Sequence, residues 1–175
     1  IKFLVKNCYE KVNLSMINGD LKDKIIVCGS FIDFDIYQKI KGVGAKAIVC
    51  GGVDYNTISK ILGYSLGVAI TGTEKTTTLI LTEGFGEINM AERTFNLLKE
   101  NENKIASVNG ATQIRAGVLR PEIFIASKDS SQNIEFSEED LIISKGSTVR
   151  VIREPHFGKL GKIVDLPYEL VAMKS

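Results

Sequence analysis

A near-repeat constrains this chain more than any other feature. Lys24-Ile25-Ile26-Val27-Cys28-Gly29 returns 22 positions later as Lys46-Ala47-Ile48-Val49-Cys50-Gly51. Each run is short, apolar and rich in β-branched residues, the pattern of a strand buried on both faces. Between them, Asp33 is placed to cap a helix over 34–41, where Phe34, Tyr37, Ile40 and Lys41 follow a helical period. Gly42 and Gly44 stop it. After Gly51-Gly52, Asp54 is placed to cap a second helix that runs to about Leu62 and ends at Gly63. Two strand–helix units in succession predict a parallel sheet with helical crossovers.

Further strands are predicted at 66–70, 77–82, 105–108 and 122–126. Only Thr71 to Thr76 separates the first two, too little for a helical crossover. They are therefore either an antiparallel pair or joined by an irregular link. Ile88, Ala91, Phe95 and Leu98 are spaced 3, 4 and 3 apart and predict a helix. Residues 1–23 are less regular: Val12, Leu14 and Met16 alternate with polar residues as an exposed-face strand would. The expected fold class is α/β, a small, mostly parallel sheet with short helices, Rossmann-like or of the swivelling type, plus a C-terminal β domain. The expected organisation is an arm or the end of an upstream domain over 1–19, an α/β domain over 20–127 and a β domain over 128–175. The polar stretch 127–137 is the candidate linker.

Composition narrows the classes. At 175 residues and 19.2 kDa the chain can hold one full domain, or a modest one with an appendage. With 44% hydrophobic and 25% charged residues, it is no disordered chain, collagen or disulfide-dense miniprotein. The net charge of +1 points neither to nucleic acid nor to a membrane. No window approaches the ~18 uninterrupted apolar residues of a spanning helix, so no membrane partner is expected. Three cysteines cannot pair completely, and Cys28 and Cys50 read as buried thiols at strand ends, which fits a reducing, cytoplasmic setting. Ile1 in place of Met reads as a fragment or processed product, in which case an activity could reside upstream.

Residues 146–164 contain an opening Gly146, a Val149-Arg150-Val151 strand, and Pro155, Gly158 and Gly161 in the turn. This stretch resembles a KOW segment, the SH3-like β-barrel unit of some ribosomal proteins and transcription elongation factors. The resemblance implies nucleic-acid or protein binding. Arg150, Arg153, Lys159 and Lys162 against Glu154 give the segment a local charge of +3, and these four are the candidate nucleic-acid-binding residues. Over 129–175 there are 6 basic and 8 acidic residues, a net of −2, which opposes a grip on RNA. The α/β part loosely resembles the swivelling β/β/α domains over Lys24–Gly29, the short helix and Gly44–Gly51. The phosphohistidine of some members has no candidate here. The combined pattern also resembles an uncharacterised bacterial protein family.

In open parallel sheets, ligands bind beyond the carboxyl ends of the strands. Here five strands run into a glycine: Gly29, Gly51, Gly72, Gly84 and Gly110. Such glycines either admit a ligand to backbone amides or serve short turns. Neither a Rossmann nor a Walker pattern is present. Glu83 and Glu87, with Asp54, could hold a hard cation, or Glu87 could simply favour its own helix start. The polar run 109–117, with Arg120 just beyond, could seat an anion or bond to itself. Its candidate ligand-binding residues are Asn109, Thr112, Gln113, Arg115 and Arg120. No catalytic residue, metal ligand set or cofactor is assigned. Three readings follow: a non-enzymatic binding or scaffold protein, a small-anion or metabolite-binding α/β domain with or without enzymatic activity, and an RNA-associated factor. Uncovered edge strands would favour a protein partner or a homo-oligomer.

Overall fold

A computed structural model of the chain describes residues 1–65, 69–70, 77–113, 119–126, 142–153, 155–156 and 159–166. The chain divides into two compact units, Ile1–Ala126 and Ser127–Ser175. In chain order, the strands of the first unit are β1 (Lys2–Phe3), β2 (Ile25–Val27), β3 (Ala47–Val53), β4 (Ala69–Ile70), β5 (Thr78–Phe85), β6 (Ala106–Asn109), β7 (Thr112–Gln113) and β8 (Glu122–Ile125). Its α-helices are α1 (Phe34–Gly42), α2 (Tyr55–Leu62) and α3 (Glu92–Glu100).

The main sheet has the order β1-β2-β3-β5, and each neighbouring pair is parallel. The repeat forms its centre, with Ile25, Ile26 and Val27 in register with Ala47, Ile48 and Val49. Ile26, Val27, Ile48 and Val49 are fully buried, and such a side chain contributes about 1.5–3 kcal/mol. Strand β3 is buried along its whole length, as a strand flanked on both edges and both faces must be. Asp33 Oδ1 accepts from the Ile36 N–H at 2.8 Å and starts α1. That helix buries Ile36, Tyr37 and Ile40. Asp54 takes the N-cap position of α2, but its carboxylate makes no capping hydrogen bond.

Several elements differ from the sequence expectation. Among the described residues, the strands expected at 66–70 and 77–82 do not pair with each other. β5 lies parallel on β3, whereas β4 pairs antiparallel with β7. β6 and β8 form their own antiparallel ribbon instead of widening the parallel sheet. Ala106, Val108, Ile123 and Ile125 of that ribbon pack on the core. The third helix begins at Glu92, not Ile88, because residues 88–90 run as a strap across β3 and bury Met90. Its core face keeps only Phe95 and Leu98 of the predicted stripe.

The N-terminal residues join the sheet. The Leu4 N–H donates to the Val27 carbonyl at 3.1 Å, and Phe3 packs edge-to-face on Phe95 at 5.0 Å. Ile1, Phe3, Val5, Val12 and Ile17 belong to the core of Ile1–Ala126. Leu14–Met16, expected to continue a strand, form a 3-10 turn. The outer edge of β1 is occupied by side-chain and loop groups: Glu102 Oε1 accepts from the Phe3 N–H at 3.4 Å, and the Asn103 N–H donates to the Ile1 carbonyl at 2.9 Å.

In the second unit, β9 (Thr148–Arg150) and β10 (Leu160–Lys162) form an antiparallel hairpin. The candidate linker 127–137 lies outside the described residues. Among the described residues, no helix is long and apolar enough to cross a membrane.

Candidate functional site

Because the sheet is parallel, the ends of β2, β3 and β5 share one carboxyl edge, where the sequence points to a ligand. The glycines there do allow close approach, but to the chain's own backbone. A Cβ on Gly51 would collide with the Ile88 carbonyl, and would lie 2.6 Å from Met90 N and 2.7 Å from Ser30 O. On Gly52 it would collide with the Gly86 carbonyl. On Gly29 it would lie 2.8 Å from the Glu10 carbonyl. Two straps therefore seat on this edge, one around residues 5–10 and one over 84–90. The Ser30 N–H and hydroxyl both bond the Glu10 carbonyl, at 3.3 and 3.2 Å. An ion pair at 2.7 Å between Lys11 and Glu87 ties the straps together, and Lys11 also lies over the Phe31 ring.

Of the other strand-ending glycines, Gly84 faces open space, and a Cβ on Gly110 would lie 2.8 Å from the Thr78 methyl. Gly72 lies outside the described residues. Tyr55 and Phe85 stack edge-to-face at 5.7 Å, both half exposed. Asn7 Oδ1 is a buried acceptor without a hydrogen-bond partner among the described residues.

The acidic pair considered for a cation is engaged in structure. Glu83 Oε1 accepts from the Ala91 N–H at 2.9 Å, ahead of α3, and Glu87 is the partner of Lys11. Among the described residues, no three His, Cys, Asp or Glu side chains gather as a metal-binding group. Cys28 and Cys50 are fully buried, and burial holds both thiols well above their ordinary range. Such thiols are neutral and poor nucleophiles.

The described residues of the 109–120 run bond to one another. Asn109 Oδ1 accepts from the Ala111 N–H at 3.0 Å. The Thr112 hydroxyl donates to the Leu119 carbonyl at 3.2 Å. Gln113 and Leu119 exchange backbone hydrogen bonds at 3.1 and 2.9 Å. Arg120 is exposed, and Arg115 lies outside the described residues. The Asn109 amide and the Thr112 hydroxyl are thus engaged in shaping the turn.

The hairpin is the second candidate. Arg150 stands opposite Leu160, and Thr148 opposite Lys162. Directly opposed residues share a face, and all four are exposed, whereas Val149 and Gly161 on the other face are half buried. The Ile163 N–H donates to the Ser147 carbonyl at 3.0 Å, which continues the ladder and brings Val164 onto the outward face. Arg153 and Lys159 flank the turn: the His156 N–H bonds the Arg153 carbonyl, and the Lys159 N–H bonds the His156 carbonyl. Arg150 and Lys162 therefore sit diagonally on one face, with Arg153 and Lys159 beyond the strand ends. Sequence reasoning missed Leu160 and Val164. Their alternation with Lys162 is visible in the sequence, but the register was needed to place them beside Arg150.

No family model, no curated protein and no solved structure matches this chain.

Proposed function

We propose that this chain is a non-enzymatic binding protein. In this reading Ile1–Ala126 is a scaffold closed along its sheet, and the hairpin of the second unit is the docking element. The observation that carries it is the outward face of the hairpin, where Arg150 and Lys162 stand beside the exposed Leu160 and Val164. Two further observations support it. The carboxyl edge at Gly29, Gly51 and Gly52 is filled by backbone, and Asn109 and Thr112 bond to their own turn. The resemblance of 146–164 to KOW segments, which implies nucleic-acid or protein binding, points the same way.

The test is a photo-crosslinking amino acid at position 160, compared with the same group at position 97 on α3. Discrete adducts in cells at 160, lost with Lys162→Glu and absent at 97, are the expected result. The reading fails if 160 gives none and nucleotides or sugar phosphates stabilise the chain in a way that Arg120→Ala removes.

A further inference from the structure

We propose that Asn18 is a site of spontaneous covalent modification, where the chain cyclises on itself and reopens with an isoaspartyl or aspartyl residue. The sequence holds two Asn-Gly pairs, Asn18-Gly19 and Asn109-Gly110. In such a pair the glycine nitrogen reaches the asparagine side chain easily, because no Cβ shields it. The structure separates the two. Asn18 and Gly19 are both exposed at the head of the 3-10 turn Gly19–Leu21. A Cβ on Gly19 would meet nothing within 4 Å. Among the described residues no hydrogen bond holds the Gly19 N–H. Asn109, by contrast, stands opposite Glu122 in the β6–β8 ladder, and a Cβ on Gly110 would lie 2.8 Å from the Thr78 methyl. Both asparagines carry the same local bond: Oδ1 accepts from the N–H two residues on, at 3.1 Å from Asp20 and 3.0 Å from Ala111. What differs is the packing around the pair.

The Gly19 nitrogen attacks Cγ of Asn18 and gives its proton to solvent. The Asp20 N–H, already on Oδ1, stabilises the charge that builds there. The Cγ–Nδ2 bond breaks, Nδ2 takes a proton from water and leaves as ammonia, and a five-membered succinimide remains. Water then adds to one of its two carbonyls. Addition at Cγ breaks the new bond and leaves an aspartate. Addition at the main-chain carbonyl breaks the original peptide bond and leaves the main chain running through Cγ, an isoaspartate. The net reaction exchanges ammonia for water, with no oxidant or reductant. The isoaspartate lengthens the main chain by one methylene in a turn where the Leu21 N–H bonds the Asn18 carbonyl and the Lys22 N–H bonds the Gly19 carbonyl, both at 3.4 Å. That turn delivers Leu21, 2% exposed, into the core just ahead of β2. The aspartate product keeps the side-chain oxygen that Asp20 bonds, so only the isoaspartate loosens the turn.

The experiment is peptide mapping by mass spectrometry of the full chain, aged at mildly alkaline pH, with enzymatic methylation of isoaspartyl carboxylates as a second readout. Amide loss at Asn18 should run at least about tenfold faster than at Asn109, whose ladder must open first. In urea, where neither site is packed, the two rates should converge. Gly19→Ala should slow the loss at Asn18 by about tenfold or more, and it leaves the fold intact because the added methyl has open space. Aged protein enriched in isoaspartate should unfold at lower urea than the Asn18→Asp variant. Equal rates at the two sites in the folded chain would overturn the proposal. So would conversion of Asn18 in urea but not in the folded chain, which would mean that the turn protects it. Loss from Gly19→Ala at the unmodified rate would overturn the cyclisation route. Aged protein as stable as Asn18→Asp would overturn the link to Leu21.

Discussion

Replacing Gly51 by alanine tests whether the carboxyl edge of the sheet is closed. The added methyl would collide with the Ile88 carbonyl and lie 2.6 and 2.7 Å from Met90 N and Ser30 O. All three obstacles are backbone, so no rotamer change relieves them. Gly51 is also held in the ladder, its N–H donating to the Gly29 carbonyl at 2.8 Å. The strap must therefore lift. Overpacking a core costs ~1–3 kcal/mol, and lifting the strap disturbs Met90, whose full truncation to alanine would cost ~2–5 kcal/mol. A loss of ~3 kcal/mol is expected, equivalent to a fall in Tm of roughly 6–12 °C for a chain of this size. Urea and thermal unfolding measure it. Gly19→Ala is the control: a Cβ there meets nothing within 4 Å, and its effect should stay within about ±0.5 kcal/mol. If Gly51→Ala loses less than about 1 kcal/mol, the strap does not seat on β3, and the metabolite-binding reading regains its entrance.

Three more expectations follow from individual groups. Asp33→Ala should cost ~1 kcal/mol by removing the cap of α1, measured by urea unfolding, while Asp54→Ala should cost less because Asp54 makes no capping bond. Native protein should expose neither Cys28 nor Cys50 to a thiol reagent, so that Cys8→Ser leaves labelling only at the rate of opening; rapid labelling of Cys8→Ser would contradict the packing of β2 on β3. Lys99 and the Phe3 N–H, both bonded to the Glu102 carboxylate, hold its pKa below the usual value. A depressed pKa contributes stability above the unfolded value, and that contribution is lost as pH falls through the folded one. Wild type should therefore lose stability relative to Glu102→Gln below about pH 4.3, and parallel acid-unfolding curves would refute the role.

How far the sequence reaches is clearest at β2, β3 and the helices after them. The apolar runs 25–28 and 47–50 carry their own burial pattern, and Asp33 and Gly63 mark helix ends by local chemistry. Those features depend on neighbours in sequence, so they can be read there. The ribbon β6–β8 is different. Its strands are legible, but whether Ala106–Asn109 extends a parallel sheet or pairs with Glu122–Ile125 depends on which edge each segment can reach.

The site follows the same division. The glycines after β2 and β3 announced a close approach, which any residue lacking a Cβ permits. Only the tertiary structure brought Ile88, Met90 and Glu10 to them, because a strap's path across a sheet is set by distant packing such as the burial of Met90. The polar run 109–120 announced hydrogen-bonding capacity without naming the recipient, which proved to be its own backbone at Ala111 and Leu119. On the hairpin, the sequence determined that basic residues flank a turn. The cross-strand register decided that Arg150 stands beside Leu160 and diagonal to Lys162. A one-residue slip would turn those side chains to the opposite face, and register is fixed by pairing in space, beyond what alternation along one strand can specify.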